Sequence, residues 1–222
     1  MYVAFAAMCL VRTRVSTMHQ ENRGNFYDGR LYHLFVDPPL RRVRRLLRAQ
    51  VSPKSSLIDI GCGTGELLFS LADVCSELVG VEVSHRMWSY ASRRARDKGL
   101  SNVQFIWRNG TGPLNFPSAH FEYAAACMVM HQMDADQRLQ AVLEMRRLAR
   151  MLILIDYRVV PPKNLTGILC RLAERLAGRR HYHNFLSYLK EGGLITLIDA
   201  AEGSVQQEII VYDRCLHLLR VT

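Results

Sequence analysis

A short apolar run that leads into a glycine loop decides the fold of this chain: residues 57–66 read LIDIGCGTGE. Glycine stands at positions 61, 63 and 65, and an amphipathic stretch begins at Glu66. Glycine is needed where the backbone takes positive φ or approaches a ligand closely, and the N–H groups at the start of a helix favour an anionic group. The run therefore predicts a buried strand, a ligand-binding loop and a helix in succession.

The spacing of the glycines distinguishes two kinds of nucleotide ligand. The dinucleotide fingerprint G-x-G-x-x-G would need a glycine where this chain has Glu66, and a glutamate there would repel a pyrophosphate. Glu82 follows Gly61 by about 20 residues, the spacing at which a doubly wound fold places a carboxylate against ribose hydroxyls. Loop and carboxylate together predict an adenosine ligand without a pyrophosphate. The alternative is a glycine turn with a chance surface glutamate.

From Ser55 onward, short apolar runs alternate with amphipathic stretches. Strands are predicted at 56–60, 78–83, 103–107, 123–128 and 151–156, and helices at 39–49, 66–74, 85–98 and 135–150. Beyond Pro161 the pattern is helical to about Gly193, and two strand-like runs at 207–212 and 215–221 can pair as an antiparallel hairpin. We therefore predict an α/β fold: a Rossmann-like, doubly wound, mostly parallel seven-stranded sheet with an antiparallel edge hairpin and helices on both faces.

Length and composition predict one soluble globular domain at residues 21–222, preceded by a flexible tail at residues 1–20. Met18 is a plausible alternative start. The six cysteines show no CxxC pair and no spacing typical of metal ligands, so we expect no metal, no disulfide framework and a cytoplasmic location. No apolar run approaches the roughly 20 residues that span a bilayer. The net charge of +9 is a hint about partners only.

The glycine loop and the residues after it resemble the class I S-adenosylmethionine-dependent methyltransferases, in particular the branch of ubiquinone and menaquinone C-methyltransferases. Residues 59–65 are similar to that family's cofactor loop, DIGCGTG, and residues 81–84 to its second motif, whose acidic residue holds the ribose. Residues 105–110 resemble its third motif, which usually ends in Gly-Asp-Ala. This chain has Asn109 in place of that aspartate, so its amide oxygen would accept from the adenine amino group.

The resemblance implies S-adenosyl-L-methionine as the cofactor and S-adenosyl-L-homocysteine as the product. The implied cofactor-binding residues lie at the carboxyl ends of the first four predicted strands or just after them: Asp59, Gly61, Cys62, Gly63, Thr64, Gly65, Glu82, Val83, Asn109, Gly110 and Cys127. One usual feature is absent, the Lys-Pro-Gly-Gly loop before the fifth strand, and Arg150 runs directly into Met151.

A sulfonium methyl group is already electrophilic, so the enzyme mainly aligns a nucleophile and excludes water. If a base is used, His131 is the first candidate, because it follows the fourth strand at the carboxyl edge of the sheet. The alternative for His131 is a purely structural role. Tyr27 and Tyr157 are candidate substrate contacts, although Tyr27 could equally belong to a plain turn. The 181–183 segment, His-Tyr-His, could wall the substrate pocket or simply begin a surface helix.

Residues 40–48, LRRVRRLLR, form a basic amphipathic pattern. Such a helix could contact an anionic membrane peripherally or meet nucleic acid, or its arginines could be the solvated face of a helix packed on the domain. A DNA amino-methylating motif is absent after the fourth strand, so nucleic acid is disfavoured. The family resemblance implies a small-molecule acceptor such as a quinone, lipid or other metabolite. A methyltransferase acting on RNA or protein, and a non-catalytic binding module, remain the alternatives. Nothing in the sequence fixes the oligomeric state.

Overall fold

The structure is a computed structural model that describes residues 37–222. The tail at 1–20, Met18 and Tyr27 lie outside that range, so the predictions made for them stay predictions. Seven strands form one sheet: β1 Ser56–Ile60, β2 Glu77–Glu82, β3 Val103–Trp107, β4 Phe121–Cys127, β5 Ala149–Tyr157, β6 Val205–Val211 and β7 Leu216–Val221. Among the described residues the helices are α1 Asp37–Arg48, α2 Glu66–Leu71, α3 His85–Asp97, α4 Ala135–Leu148, α5 Leu165–Leu176, α6 Arg179–Lys190 and α7 Gly193–Ala200.

The sheet has the strand order β3-β2-β1-β4-β5-β7-β6. Strands β1 to β5 pair in parallel, and β7 pairs antiparallel with both β5 and β6. The order runs outward from β1 to β3 in one direction and from β4 to β5 in the other. Connections between parallel strands are right-handed as a rule, so this reversal places helices on both faces. The predicted fold, including the antiparallel edge hairpin, is confirmed.

The observed boundary between α4 and β5 differs from the predicted one by two residues, because the backbone conformation rather than the apolar pattern ends the helix. Helix α4 stops at Leu148, and Ala149 already has the extended φ of −134° and ψ of 156°. Strand β5 therefore begins at Ala149 instead of Met151, and its pairing with β4 starts there with Phe121 opposite. Because the Lys-Pro-Gly-Gly loop is absent, α4 is followed directly by β5 with no residues between them.

The helical region after β5 is three helices, because glycines interrupt it. Gly178, with φ of 130°, precedes α6, and Gly192, with φ of 91°, precedes α7. Asn164 caps the start of α5 by accepting a hydrogen bond of 2.9 Å from the N–H of Gly167. The pair α5 and α6, which we call the helical insert, packs beside the carboxyl ends of β4 and β5.

Helix α1 packs against the domain, which agrees with the alternative that the arginines of residues 40–48 are the solvated face of a packed helix. Val43 and Leu47 are fully buried in the core, and Arg48 makes two hydrogen bonds of 2.6 and 2.8 Å to the carboxylate of Asp73. Arg41, Arg42 and Arg45 remain exposed. Among residues 37–222, no helix is long and apolar enough to cross a bilayer.

Candidate functional site

The loop after β1 lies at the point where the strand order reverses, between β1 and β4. In open α/β sheets, ligands bind in the crevice outside the carboxyl ends of the strands at such a point. Gly61, Gly63 and Gly65 all have positive φ, at 73°, 56° and 80°. Glycine adopts this left-handed region at no steric cost, which is why three alternating glycines can fold the chain into a tight loop.

Packing leaves no room for a side chain at two of these glycines, whereas the space at the third is open. A Cβ at Gly61 would lie 2.4 Å from Cγ2 of Val129, and a Cβ at Gly65 would lie 2.6 Å from Cζ of Phe105. At Gly63 a Cβ would meet nothing within 4 Å. The sequence argument gave positive φ or close approach of a ligand as the reason for these glycines. The structure shows positive φ at all three, and at positions 61 and 65 the protein's own side chains fill the space.

Glu82 ends β2 and is 8% exposed. Its carboxylate accepts hydrogen bonds from the backbone N–H of Gly63 at 2.9 Å and from that of Ser84 at 2.7 Å. The acidic residue and the glycine loop, predicted to act together, are therefore in direct contact. A carboxylate oxygen has two lone pairs and can accept more than one hydrogen bond, which suits the predicted role of Glu82 as an acceptor for ribose hydroxyls.

Asp59 and Cys62 lie beneath the loop and are buried, as is the neighbouring Thr64. Burial, the charge of Glu82 and, in the opposite direction, the charge of Arg44 act on Asp59, and together they raise the pKa of its carboxyl well above the usual value. Oδ1 of Asp59 has no hydrogen-bond partner in the described structure. Burial also raises the pKa of the Cys62 thiol, so Cys62 is a packing residue rather than a reactive one.

The ends of β2 and β3 form an apolar and aromatic wall beside the loop. Val83 is 46% exposed and Trp107 is 49% exposed, and the indole N–H of Trp107 donates to the carbonyl of Val83 at 3.0 Å. Trp107 also stacks on Trp88, with ring centroids 6.1 Å apart. The sequence analysis missed Trp107, although an aromatic residue at the last position of a strand on this edge was a usable signal.

Asn109 and Gly110 follow β3. Asn109 is exposed, and its Oδ1 accepts a hydrogen bond of 3.2 Å from the N–H of Thr111. Gly110 is buried, and a Cβ there would lie 2.5 Å from Cγ2 of Ile60, so glycine is required by packing. The amide oxygen of Asn109, predicted to accept from the adenine amino group, is thus already turned toward its own loop.

The chain turns sharply after β4. Cys127 ends the strand half-buried, and Met128 has φ of 57° although it carries a long side chain. Its N–H donates to the carbonyl of Ile155 at 2.8 Å, which holds the turn against β5. Unusual backbone of this kind concentrates at functional sites. It brings Val129 onto Gly61 and directs His131, two residues further on, into the domain.

His131 lies in a short 3-10 turn, Met130–Gln132, and is only 1% exposed. Its Nδ1 is 2.6 Å from Oδ1 of Asp156, and its Nε2 is 3.5 Å from Oε2 of Glu174. Burial lowers the pKa of His131, but the charges of Asp156 and Glu174 outweigh it and raise the pKa to about 10. Both ring nitrogens face carboxylates, which disfavours the predicted base role because no nitrogen is left to take a substrate proton.

Glu174 of α5 is the centre of this buried group. Its Oε1 accepts a hydrogen bond of 2.6 Å from the hydroxyl of Tyr157, and its Oε2 is hydrogen-bonded to Nε2 of His181. Burial favours the neutral acid, but the adjacent His131 and His181 prevail and hold the pKa of Glu174 below its usual value. We call His131, Asp156, Tyr157, Glu174 and His181 the buried polar cluster.

The cluster changes how two sequence predictions are understood. Tyr157, predicted to contact substrate, is 5% exposed and its hydroxyl is used by Glu174. His181, which could have begun a surface helix, is largely buried, whereas His183 on the same helix is exposed. The sequence analysis did not identify Asp156 or Glu174. An acidic residue near the end of an apolar strand, as Asp156 is in β5, was the available signal.

A family model and two curated proteins resemble part of this chain. A family model described as a methyltransferase domain matches residues 57–151. A probable S-adenosylmethionine-dependent methyltransferase of Saccharomyces cerevisiae is 29% identical over 83 residues, which are 37% of this chain and 28% of that protein. A nocamycin O-methyltransferase of Saccharothrix syringae is 30% identical over 97 residues, 42% of this chain and 34% of that protein. The matches thus span about a third of these curated relatives.

A solved structure extends the likeness beyond the matched segment, for the fold alone. An S-adenosylmethionine-dependent methyltransferase from Aquifex aeolicus superposes with a TM-score of 0.62 at 16% identity. The superposition covers 87% of this chain and 98% of that one. The likeness in fold therefore extends over most of this chain.

Proposed function

Because this chain belongs, through its residues 57–151, to the class I S-adenosylmethionine-dependent methyltransferase family, we propose that it transfers a methyl group to a small-molecule acceptor. The observation that carries the proposal is the contact between Glu82 and the backbone of Gly63, 2.9 Å long, at the reversal of the strand order. It unites the acidic residue and the glycine loop in one crevice of the right composition for an adenosine.

The chain's own groups fit the cofactor. Glu82 can accept the ribose hydroxyls, Gly63 leaves space for a ligand above the loop, and Val83 and Trp107 offer an apolar face to an adenine ring. The partnerless Oδ1 of Asp59 is an acceptor beneath the loop. When bound, S-adenosyl-L-methionine supplies an electrophilic methyl group. The protein's share of the catalysis is then to orient the acceptor and exclude water.

No general base is part of this proposal. The methyl acceptor would be activated by its own chemistry or by desolvation in the crevice, since His131 is turned into the buried polar cluster. A small-molecule acceptor, such as a quinone, lipid or other metabolite, is supported by the likeness to the nocamycin O-methyltransferase. We propose the cytoplasm as the compartment, in keeping with the five described cysteines, which are all free thiols.

The experiment is calorimetric binding of S-adenosyl-L-methionine and S-adenosyl-L-homocysteine to the full chain, with Glu82→Ala beside it. We expect micromolar binding by the wild type and a loss of at least about tenfold in the variant, equivalent to about 1.4 kcal/mol. Glu77→Ala, at the opposite end of β2, is the matched control and should bind as the wild type does. An intact protein that binds neither compound would overturn the proposal.

A macromolecular acceptor is the second candidate, favoured by the three exposed arginines of α1: Arg41, Arg42 and Arg45. Their charge would also mediate any peripheral contact with an anionic membrane. Binding to a polyanion weakens steeply with salt, so titrations of the wild type and of a triple Arg→Gln variant at two salt concentrations distinguish the candidates. A small-molecule enzyme should show methyl transfer that neither the salt nor the triple variant changes.

A further inference from the structure

We propose that His131, Glu174 and His181 bind a divalent transition-metal ion, of which Zn²⁺ is the first candidate. Three side-chain atoms converge there: Nε2 of His131, Nε2 of His181 and Oε2 of Glu174. The possible ligand atoms of the three residues all lie within 4.8 Å of one another. Two imidazoles and one carboxylate are a ligand set that binds Zn²⁺ in proteins and, with the same composition, Fe²⁺.

The groups around the three ligands are those a metal site needs. Nδ1 of His131 faces Oδ1 of Asp156 at 2.6 Å, which fixes the imidazole with its Nε2 toward Glu174. Metal-bound histidines commonly donate their other N–H to a carboxylate in this way, and the partner raises the basicity of the ligand. Asp156 is itself held, because its carboxylate accepts from the backbone N–H groups of Tyr157 at 2.7 Å and His131 at 3.2 Å.

A divalent ion would balance the charge of the cluster. Asp156 and Glu174 are two carboxylates in a nearly dry interior, where unbalanced charge is costly. Two protonated histidines, or one divalent ion with two neutral imidazoles, would each supply the two positive charges required. The ion in addition gives Oε2 of Glu174 and both Nε2 atoms one common partner. Oε1 of Glu174 stays satisfied by the hydroxyl of Tyr157.

The position of the site gives the ion a role. His131 comes from the turn after β4, whereas Glu174 and His181 come from α5 and α6. A bound ion would therefore fasten the helical insert to the carboxyl edge of the sheet, next to the turn that carries Val129 onto the glycine loop. This inference does not depend on the proposed methyl transfer, and it replaces the expectation of a metal-free protein that the cysteine spacing suggested.

The test is the metal content of the full chain, purified without a polyhistidine tag and without chelators, then dialysed against metal-free buffer. Elemental analysis should find about one ion of zinc, or of iron in an anaerobic preparation, per chain. His181→Gln should lower the content at least tenfold. His183→Gln, which changes an exposed histidine on the same helix, is the matched control and should retain the full content.

Two further measurements keep the outcome decisive if a variant folds poorly. Substitution with Co²⁺ in the wild type should give visible d–d bands of a nitrogen and oxygen site, without a thiolate charge-transfer band. Asp156→Asn should weaken the affinity by about 10–100-fold in competition with a chromophoric chelator. A wild type that holds no ion after incubation with Zn²⁺ or Fe²⁺, an equal content in His181→Gln, or a thiolate band would each overturn the proposal.

Discussion

The carboxylate of Glu82 accepts a hydrogen bond of 2.9 Å from the backbone N–H of Gly63, which joins the end of β2 to the middle of the glycine loop. The loop is also held from outside, since Val129 of the β4 turn packs on Gly61 and Phe105 of β3 packs on Gly65. Three strands thus fix the backbone of a single loop before any ligand arrives. A preorganised loop of this kind lowers the ordering cost of binding.

The first prediction separates packing from backbone conformation in the glycine loop. Gly65→Ala places a Cβ 2.6 Å from the ring of Phe105 in a backbone with φ of 80°, whereas Gly99→Ala places one in open space with φ of 65°. The strain of the left-handed backbone should lower the free energy of unfolding of both variants by about 1–2 kcal/mol. Overpacking should lower that of Gly65→Ala by a further 1–3 kcal/mol or so. Urea denaturation of both variants measures the difference. Equal losses would show that Phe105 yields and that packing does not require the glycine.

The second prediction concerns Trp107 and the adenine ring. The chain has two tryptophans, and the half-exposed Trp107 lies beside Val83 whereas Trp88 donates its indole N–H to the carbonyl of Phe105 at 3.1 Å. Binding of S-adenosyl-L-homocysteine should therefore change the intrinsic fluorescence. Trp107→Phe should abolish most of the change, and the control Trp88→Phe should preserve it. The opposite pattern would remove Trp107 from the adenine wall.

The third prediction tests how the helical insert is held. Arg138 of α4 is fully buried, and it donates to the carbonyls of Met130 at 3.2 Å and Asn184 at 2.6 Å. It also pairs with Glu191 at 2.5 Å. Arg138→Met removes the buried guanidinium and all three of these contacts, although the carbonyl of Met130 keeps the N–H of Met133 and Glu191 keeps the hydroxyl of Ser187. The loss of hydrogen bonds to a charged group should cost about 1.5–3 kcal/mol of the free energy of unfolding.

The control for Arg138 is Arg150→Met, because Arg150 is exposed at the start of β5. Exposed substitutions usually change stability by less than about 0.5 kcal/mol. Chemical denaturation of the two variants beside the wild type gives both numbers. Similar stabilities for Arg138→Met and the wild type would mean that the insert does not depend on this arginine.

The fourth prediction is a pH dependence that originates at Asp59. Burial and the charge of Glu82 raise the pKa of this carboxyl in the folded protein. The unfolded chain releases the proton near pH 4 while the folded chain keeps it, so this residue's contribution to stability is present below that pH and is lost as the pH rises toward the folded pKa. Across that window the loss approaches about 1.4 kcal/mol per pH unit.

Asp59→Asn should remove this dependence in the ligand-free protein. The variant should gain stability relative to the wild type as the pH is raised from about 4, the usual pKa of an unfolded aspartate. Free energies of unfolding at a series of pH values measure the difference. A constant gap between variant and wild type would show that Asp59 is ionised in the folded state. Glu122→Gln, exposed on β4, controls for a general effect of removing a carboxylate.

The residues that could be predicted are those that act through local pattern. The strands and helices between Leu57 and Asp156 follow from apolar runs punctuated by glycine and capping residues. Ser84, for example, caps α3 by accepting from the N–H of Met87. The glycine loop and Glu82 were also found together, because a doubly wound sheet brings the ends of adjacent strands to one edge.

The environment of His131 could not be predicted from the sequence, because its partners are distant along the chain. Glu174 and His181 come from helices that follow β5, and their amphipathic pattern does not reveal which face meets the sheet. Position after the fourth strand suggested a histidine open to substrate. The left-handed backbone at Met128 instead turns it inward, and a single sequence gives no sign of that conformation at a methionine.

The place of β7 has a consequence for synthesis of the chain. This strand, Leu216–Val221, lies between β5 and β6, although β6 is made before it. Until residues 216–221 have left the ribosome, β6 has no sheet to join and the apolar β5 keeps one edge of unpaired N–H and C=O groups. Exposed apolar edges pair readily with other chains. A nascent chain that pauses before Leu216 is therefore the stage at which aggregation, or capture by a chaperone, is most expected.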